Sequence, residues 1–283
     1  MKKSLLLLCT AAFPFSVLAS THLANQVPDN LIQNQRLALQ ESSQGKGFGP
    51  QSPRDIDNLS GKNQQSFTVA PAYTQMNLCN IHLHKNAEHK GGEFTQYAGN
   101  GDGLGNNSGY KYSGSLTKNE LAPLSKEQIK SNGDHHLLPG DTIELHYVYS
   151  TAKVTPGPTL NACLSEFINN PQLRVEAQVF ILVNDNKALD FVKLTENAEV
   201  NGYQQATQIP VKANNAIQYN GSTTGPNYNN VASPYQVTWE VAKKVEKVDI
   251  NSVNTWLGNN IYQESHAHGV RNLVENPLLL SNQ

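Results

Sequence analysis

The chain has 283 residues, 38% hydrophobic and only 16% charged, with a formal net charge of −2. An average globular protein carries about 25% charged residues, and no stripe of Lys and Arg here is long enough to hold a phosphate backbone, which excludes a nucleic-acid partner. No apolar run reaches the roughly 20 residues that a bilayer demands, so no membrane insertion is expected. The 20 Gly and 14 Pro are scattered without a period, which argues against collagen-like and solenoid designs. A loop-rich, β-rich globule remains, with one surplus: 9 His among few charges.

In chain order, Lys2 and Lys3 precede the apolar run Leu5 to Leu8, and Val17-Leu18-Ala19 fits a signal-peptidase site. Residues 1–19 therefore read as a signal peptide and the protein as exported, periplasmic or secreted. Cys9 follows Leu8 rather than small residues, which argues against lipidation. Cleavage lowers Lys plus Arg from 21 to 19 against 23 acids, a net charge of −4, and leaves two cysteines. An even pair in an exported protein, Cys79 and Cys163, is expected to form a disulfide. The alternative is Cys79 as a metal ligand beside His82. An odd offset from His82 and His84 opposes that on a regular strand.

Residues 20–46 are polar with one helical pattern at Leu31, Leu37 and Leu39, and read as an N-terminal arm. Residues 47–53 are turn-rich, and from Phe67 the pattern turns to β. Ile81 and Leu83 alternate with His82 and His84; Ile143, Leu145, Tyr147 and Tyr149 alternate with Glu144, His146, Val148 and Ser150. Val175 to Val183 suits a strand buried on both faces, and Val237, Trp239 and Val241 alternate with Thr238 and Glu240. Loops are expected at 98–114, 155–159 and 214–230, and a helix at Ile250 to Leu257 after Asp249. No composition break divides the chain beyond residue 46, so one sheet-dominated α+β domain is expected over 47–283.

Residues i and i+2 of a strand share a face, so His82 and His84 can offer two imidazoles to one metal. His146, on a second strand with an apolar opposite face, is the preferred third ligand, and His89 the rival. Three histidines on one point make a catalytic-type zinc site with a fourth position open. The plainer readings are a solvated His pair, a packed core His146 and a surface-turn Glu88.

Several separated pieces then resemble one family. Gln51-Ser52-Pro53-Arg54-Asp55-Ile56-Asp57, His82-Leu83-His84 followed by Glu88-His89, Glu144-Leu145-His146-Tyr147-Val148, Tyr219-Asn220-Gly221-Ser222-Thr223-Thr224, Val237-Thr238-Trp239, and Arg271-Asn272 through Pro277-Leu278 resemble segments of the alpha-class carbonic anhydrases, in the same order. The run from Asn77 to Phe94 is more similar to the delta class. About two dozen residues separate Asp57 from His82, far fewer than in the alpha class, and the strand bearing that class's proton-shuttle histidine is missing or rebuilt.

The resemblance implies a central twisted, mostly antiparallel sheet with short peripheral helices. It also implies a zinc-dependent lyase converting carbon dioxide to bicarbonate and a proton. Zn2+ would be held by His82, His84 and His146, and a zinc hydroxide would attack the substrate. Thr224 would take that hydroxide's proton in a hydrogen bond and donate its own to Glu88. Val148, Val237 and Trp239 stand at the positions of the substrate pocket, although the same residues suit ordinary core. His135, His136 and His268, with His266, are proton-shuttle candidates; His89 and Arg271 are assigned structural posts. The substrate is then a small molecule, and self-association stays open. Competing readings are an exported zinc store on the same scaffold and a β-sandwich binding module. The absence of an H-E-x-x-H helix argues against a metalloprotease.

Overall fold

The apolar run around Val175 becomes the longest strand of a six-stranded sheet. This computed structural model describes residues 26–132, 136–210, 215–222 and 228–282. The expected signal peptide, the start of the arm, His135 and Thr224 lie outside them. In chain order the elements are α1 (Asp29–Ser43), β1 (Asn77–Lys85), β2 (Gln96–Tyr97), β3 (Tyr110–Lys111), α2 (Lys126–Asn132), β4 (Thr142–Ser150) and β5 (Gln172–Val183). There follow α3 (Phe191–Leu194), β6 (Asn197–Val200), β7 (Tyr203–Ala206), β8 (Ile217–Asn220), β9 (Gln236–Val241), β10 (Glu246–Asp249) and α4 (Ile250–Gly258). The main sheet runs β1-β4-β5-β9-β8, with β10 on the far end of β5. The β1–β4, β4–β5 and β8–β9 pairs are antiparallel, and β9 and β10 run parallel to β5. The expected sheet-dominated α+β domain is thus a mixed fold of helix and strand with a central, largely antiparallel sheet and short peripheral helices.

Alternation sorts the strands into two apolar layers. Ile81, Leu83, Leu145, Tyr147, Tyr149, Phe180 and Leu182 pack on one face against Val253 and Trp256 of α4 and Phe191 of α3. Asp249 opens α4 as expected, its carboxylate accepting the Asn251 N–H. The opposite face gathers Val148, Val175, Ala177, Val237 and Trp239, and this is the face to which His82, His84, Glu144 and His146 belong. In α1 the buried apolar positions are Ile32 and Leu39, whereas Leu31 and Leu37 are exposed. Seven residues is nearly two whole turns of helix, so Ile32 and Leu39 share a stripe from which Leu31 and Leu37 are rotated away. The expected pattern named the right helix but largely the wrong face.

The Cys79–Cys163 disulfide is present, with Cα atoms 4.9 Å apart and 84 residues of separation. Strand parity, however, fails as its explanation. The β1–β4 register shifts between Leu78 and Asn80, a bulge that breaks the alternation, and Cys79 packs with Val148, Leu173 and Val175 on the histidine face. The bond ties this bulge to the 3-10 turn Leu160–Cys163. Closing so long a loop contributes about 4–5 kcal/mol in the chain-entropy view. Urea unfolding of the oxidised protein against the Cys79→Ala/Cys163→Ala double variant is expected to show a loss of that order. Equal midpoints would defeat the assignment of stability to this link.

β1 is an edge strand, and the later segment around His268 covers part of it. The Lys85 N–H donates to the His268 carbonyl at 2.9 Å, and the His268 N–H donates to the Leu83 carbonyl at 2.8 Å.

Candidate metal centre

The β1–β4 register sets His82 opposite His146 and His84 opposite Glu144. The three imidazoles converge, with ring centroids 4.7–5.2 Å apart. Each ring has one nitrogen engaged by a supporting group. His82 Nδ1 lies 2.7 Å from Asn80 Oδ1, His84 Nδ1 2.8 Å from the Gly269 carbonyl, and His146 Nε2 3.0 Å from Glu144 Oε1. That leaves Nε2 of His82, Nε2 of His84 and Nδ1 of His146, and one nitrogen from each ring falls within 4.8 Å of the others. His146 Nδ1 and His82 Nε2 are 3.3 Å apart. Burial, then the neighbouring imidazoles, pushes His82 well below the ordinary histidine range. Burial chiefly brings His84 to about 3, against the pull of Glu88. Both are therefore neutral with lone pairs available, the form a metal requires. Three imidazoles, each oriented by its other ring nitrogen, fit a divalent metal.

Glu144 organises the rear of this cluster. Fully buried, it accepts from the Glu88 N–H at 2.6 Å, the His89 N–H at 3.1 Å, His89 Nδ1 at 2.5 Å and His146 Nε2 at 3.0 Å. Burial opposes its ionisation, but His89 and His146 prevail and hold it well below the usual carboxylate range. His89, the rival third ligand, has both ring nitrogens engaged, Nδ1 by Glu144 and Nε2 by the Tyr219 hydroxyl at 2.7 Å. His89, Glu144 and His146 also form a compact set, but these contacts join them to one another. Tyr219 continues the chain to the Ser52 hydroxyl at 2.7 Å.

Glu88 is buried, contrary to a surface-turn reading. Its Oε1 accepts from Arg54 Nε at 3.2 Å and its Oε2 from the Arg271 backbone N–H at 3.1 Å. Arg54 also donates to the Asn272 carbonyl. Burial works to raise the Glu88 carboxyl, but Arg54, then His84, His146 and Arg271, bring it down to about 2. Because that lies below the ordinary value of about 4.3, the stability it contributes is complete above about pH 4.5 and is lost as pH falls toward 2. Urea titrations across that window should lose part of their acid slope in Glu88→Gln. An unchanged slope would refute the role.

These groups line a chamber of about 310 Å³. Val148, Leu173, Val175, Val237 and Trp239 form its apolar wall, with the three histidines and Glu88 on the polar side. All three expected pocket residues are thus brought beside the cluster. Trp239 is fixed by its Nε1–H donating to the Gly221 carbonyl at 2.8 Å, and its ring lies edge-to-face with that of His146, the centroids 5.3 Å apart. Of the shuttle candidates, His268 lines the chamber, with ring centroids 5.8 Å from His82 and 6.0 Å from His84. Its Nε2 is 2.5 Å from Glu264 Oε2. His266 lies on the exposed side of His268. His136 is exposed and is not among the residues lining the chamber. Asn80, Glu264 and Gly269 escaped sequence reasoning. Only Asn80 carried a signal, two residues before His82 on the same strand face.

The family model described as Delta carbonic anhydrase matches residues 73–252. A search of curated proteins finds no match. Among solved structures, a Photobacterium profundum alpha-carbonic anhydrase is 14% identical, with 81% of this chain and 88% of that one covered at a TM-score of 0.26. The family match spans more than half of the chain and takes in all three clustered histidines with Glu88 and Glu144. The chain belongs to the delta carbonic anhydrase family, and its buried histidine cluster is that of a metal-dependent lyase.

Proposed function

We propose that the protein is an exported zinc enzyme that hydrates carbon dioxide reversibly to bicarbonate and a proton, with the metal held by His82, His84 and His146. The observation that carries this reading is the convergence of three individually supported imidazoles at the polar side of an apolar chamber. Bound zinc would supply Lewis acidity, lowering the pKa of water from about 15.7 to about 7.

The remaining roles belong to the chain. Val148, Val237 and Trp239 receive the apolar substrate and exclude bulk water from its side of the chamber. Neutral ligands leave the metal's positive charge undiminished, which favours ionisation of water. Glu88, held as a carboxylate, is the acceptor this reading assigns to the hydroxyl of Thr224, a residue outside the described ones, whose part would be to orient the oxygen nucleophile toward the substrate. His268, beside Glu264 at the chamber, carries the proton outward. Residues 1–19 direct export, and 47–283 form the catalytic domain.

Metal analysis paired with stopped-flow hydration tests the reading. One zinc per chain and hydration above the buffer background are expected. Stoichiometric zinc without hydration would instead favour a zinc-binding, non-catalytic member of the family.

A further inference from the structure

We propose that the Arg271 side chain is an anion-binding post of the chamber and receives the planar monovalent oxyanion that forms there, bicarbonate. The identity of the anion rests on the proposed hydration reaction; the site itself is argued from the chain.

Arg271 is the sole Lys or Arg among the described residues lining the chamber. It also lines an adjoining polar cleft of about 290 Å³ beside α1, together with Arg36, Asn100 and Tyr110. Arg271 therefore stands where the two cavities meet. Its backbone N–H is committed to Glu88. Its guanidinium donates to no acceptor among the described residues. The nearby arginines differ. Arg54 is bound to Glu88 and the Asn272 carbonyl, and Arg36 to the Leu273 carbonyl and Glu275. Holding a half-buried guanidinium without hydrogen-bond acceptors is costly, and its planar fork of donors matches a carboxylate-like anion two-point to two-point.

The chemistry of the chamber calls for such a group. A neutral, apolar substrate rests well against Val148, Val175 and Trp239. Once it has become an anion, those walls offer it no solvation. The two carboxylates lining the chamber already have partners, Glu88 in Arg54 and Glu264 in His268 at 2.5 Å. The Arg271 guanidinium acts on Glu88 only through space, its donors meet no acceptor among the described residues, and the residue lines both the chamber and the polar cleft.

The test uses the full-length protein in two forms. With metal-free protein and [13C]formate as probe, NMR titration should show saturable binding in the wild type, at least tenfold weaker binding in Arg271→Gln, and an intermediate value in Arg271→Lys. With zinc-loaded protein, Arg271→Gln should raise KM for bicarbonate about tenfold while KM for carbon dioxide moves less than twofold. Formate binding that is absent in the wild type or equal in wild type and Arg271→Gln overturns the proposal, as does a parallel rise in both KM values. Circular dichroism checks folding. Should Arg271→Gln not fold, Arg271→Lys decides, since it keeps the charge and loses the fork, and wild-type KM for bicarbonate in it would overturn the proposal. Formate binding through Arg271 in a zinc-loaded protein that fails to hydrate carbon dioxide would defeat the proposed reaction while leaving the anion post standing.

Discussion

Replacing His146 with alanine is expected to weaken zinc binding by a factor of order 10²–10³ and to remove hydration in proportion to the lost occupancy. The magnitude follows from sharing the roughly 10–16 kcal/mol of a protein zinc site among four ligands, about 3 kcal/mol for each. The location follows from geometry. His146 Nδ1 lies 3.3 Å from His82 Nε2 and is free of other described partners, and its Nε2 is supported by Glu144 at 3.0 Å. His89→Gln is the control, because both nitrogens of that ring are engaged elsewhere. Competition against a chromophoric chelator should place the large loss in His146→Ala and a small one in His89→Gln. The reverse ranking would move the third ligand to His89. Full retention of zinc and activity in His146→Ala would dismantle the centre as described.

Glu144→Ala is expected to be the most damaging single substitution outside the metal ligands, for two separable reasons. It leaves two backbone N–H groups and two imidazole nitrogens buried without their acceptor. Breaking a buried charge-assisted cluster on one side typically costs about 3–5 kcal/mol. It also frees the ring of His146, and loss of such an outer support typically weakens metal binding about 10–100-fold. Urea unfolding of the metal-free protein reads the first effect and chelator competition the second. Glu144→Gln restores part of the stability, since an amide oxygen still accepts, but its own N–H groups meet donors, so zinc affinity should stay depressed. A Glu144→Ala protein with wild-type unfolding midpoint and wild-type zinc affinity would show that the network is incidental.

Much of the sheet and of the site could be read from local pattern, and the omissions share a cause. The alternation in β1 and β4 assigns Ile81, Leu83, Leu145, Tyr147 and Tyr149 to one face and the histidines to the other, as found, because a period of two is a short-range property. The bulge at Cys79 interrupts that period, and nothing in Leu78-Cys79-Asn80 marks it in advance. The bridge to Cys163 was legible only through the count of cysteines. The carbonyl of Gly269 that supports His84 comes from a distant segment, and a backbone acceptor leaves no residue-type signature. From spacing alone Glu88 reads as an ordinary turn carboxylate, and only the family resemblance singles it out, because its burial depends on Arg54 and Arg271, which lie far from it along the chain. Two-residue strands such as β2 and β3 are likewise too short to carry a pattern.

The rung that His268 lays along β1 has a consequence for the timetable of assembly. The first two ligands leave the ribosome early, and the strand that carries the third follows some sixty residues later. The carbonyl that orients His84 and the N–H that clamps Glu88 arrive only with residues 268–271. Until then the ligand-bearing strand is a bare sheet margin, able to pair with a neighbouring nascent chain. Metal loading should therefore be a late event. A chain halted before residue 264 should bind metal loosely through unrestrained imidazoles and cluster through β1, and chelation should leave the completed protein monodisperse.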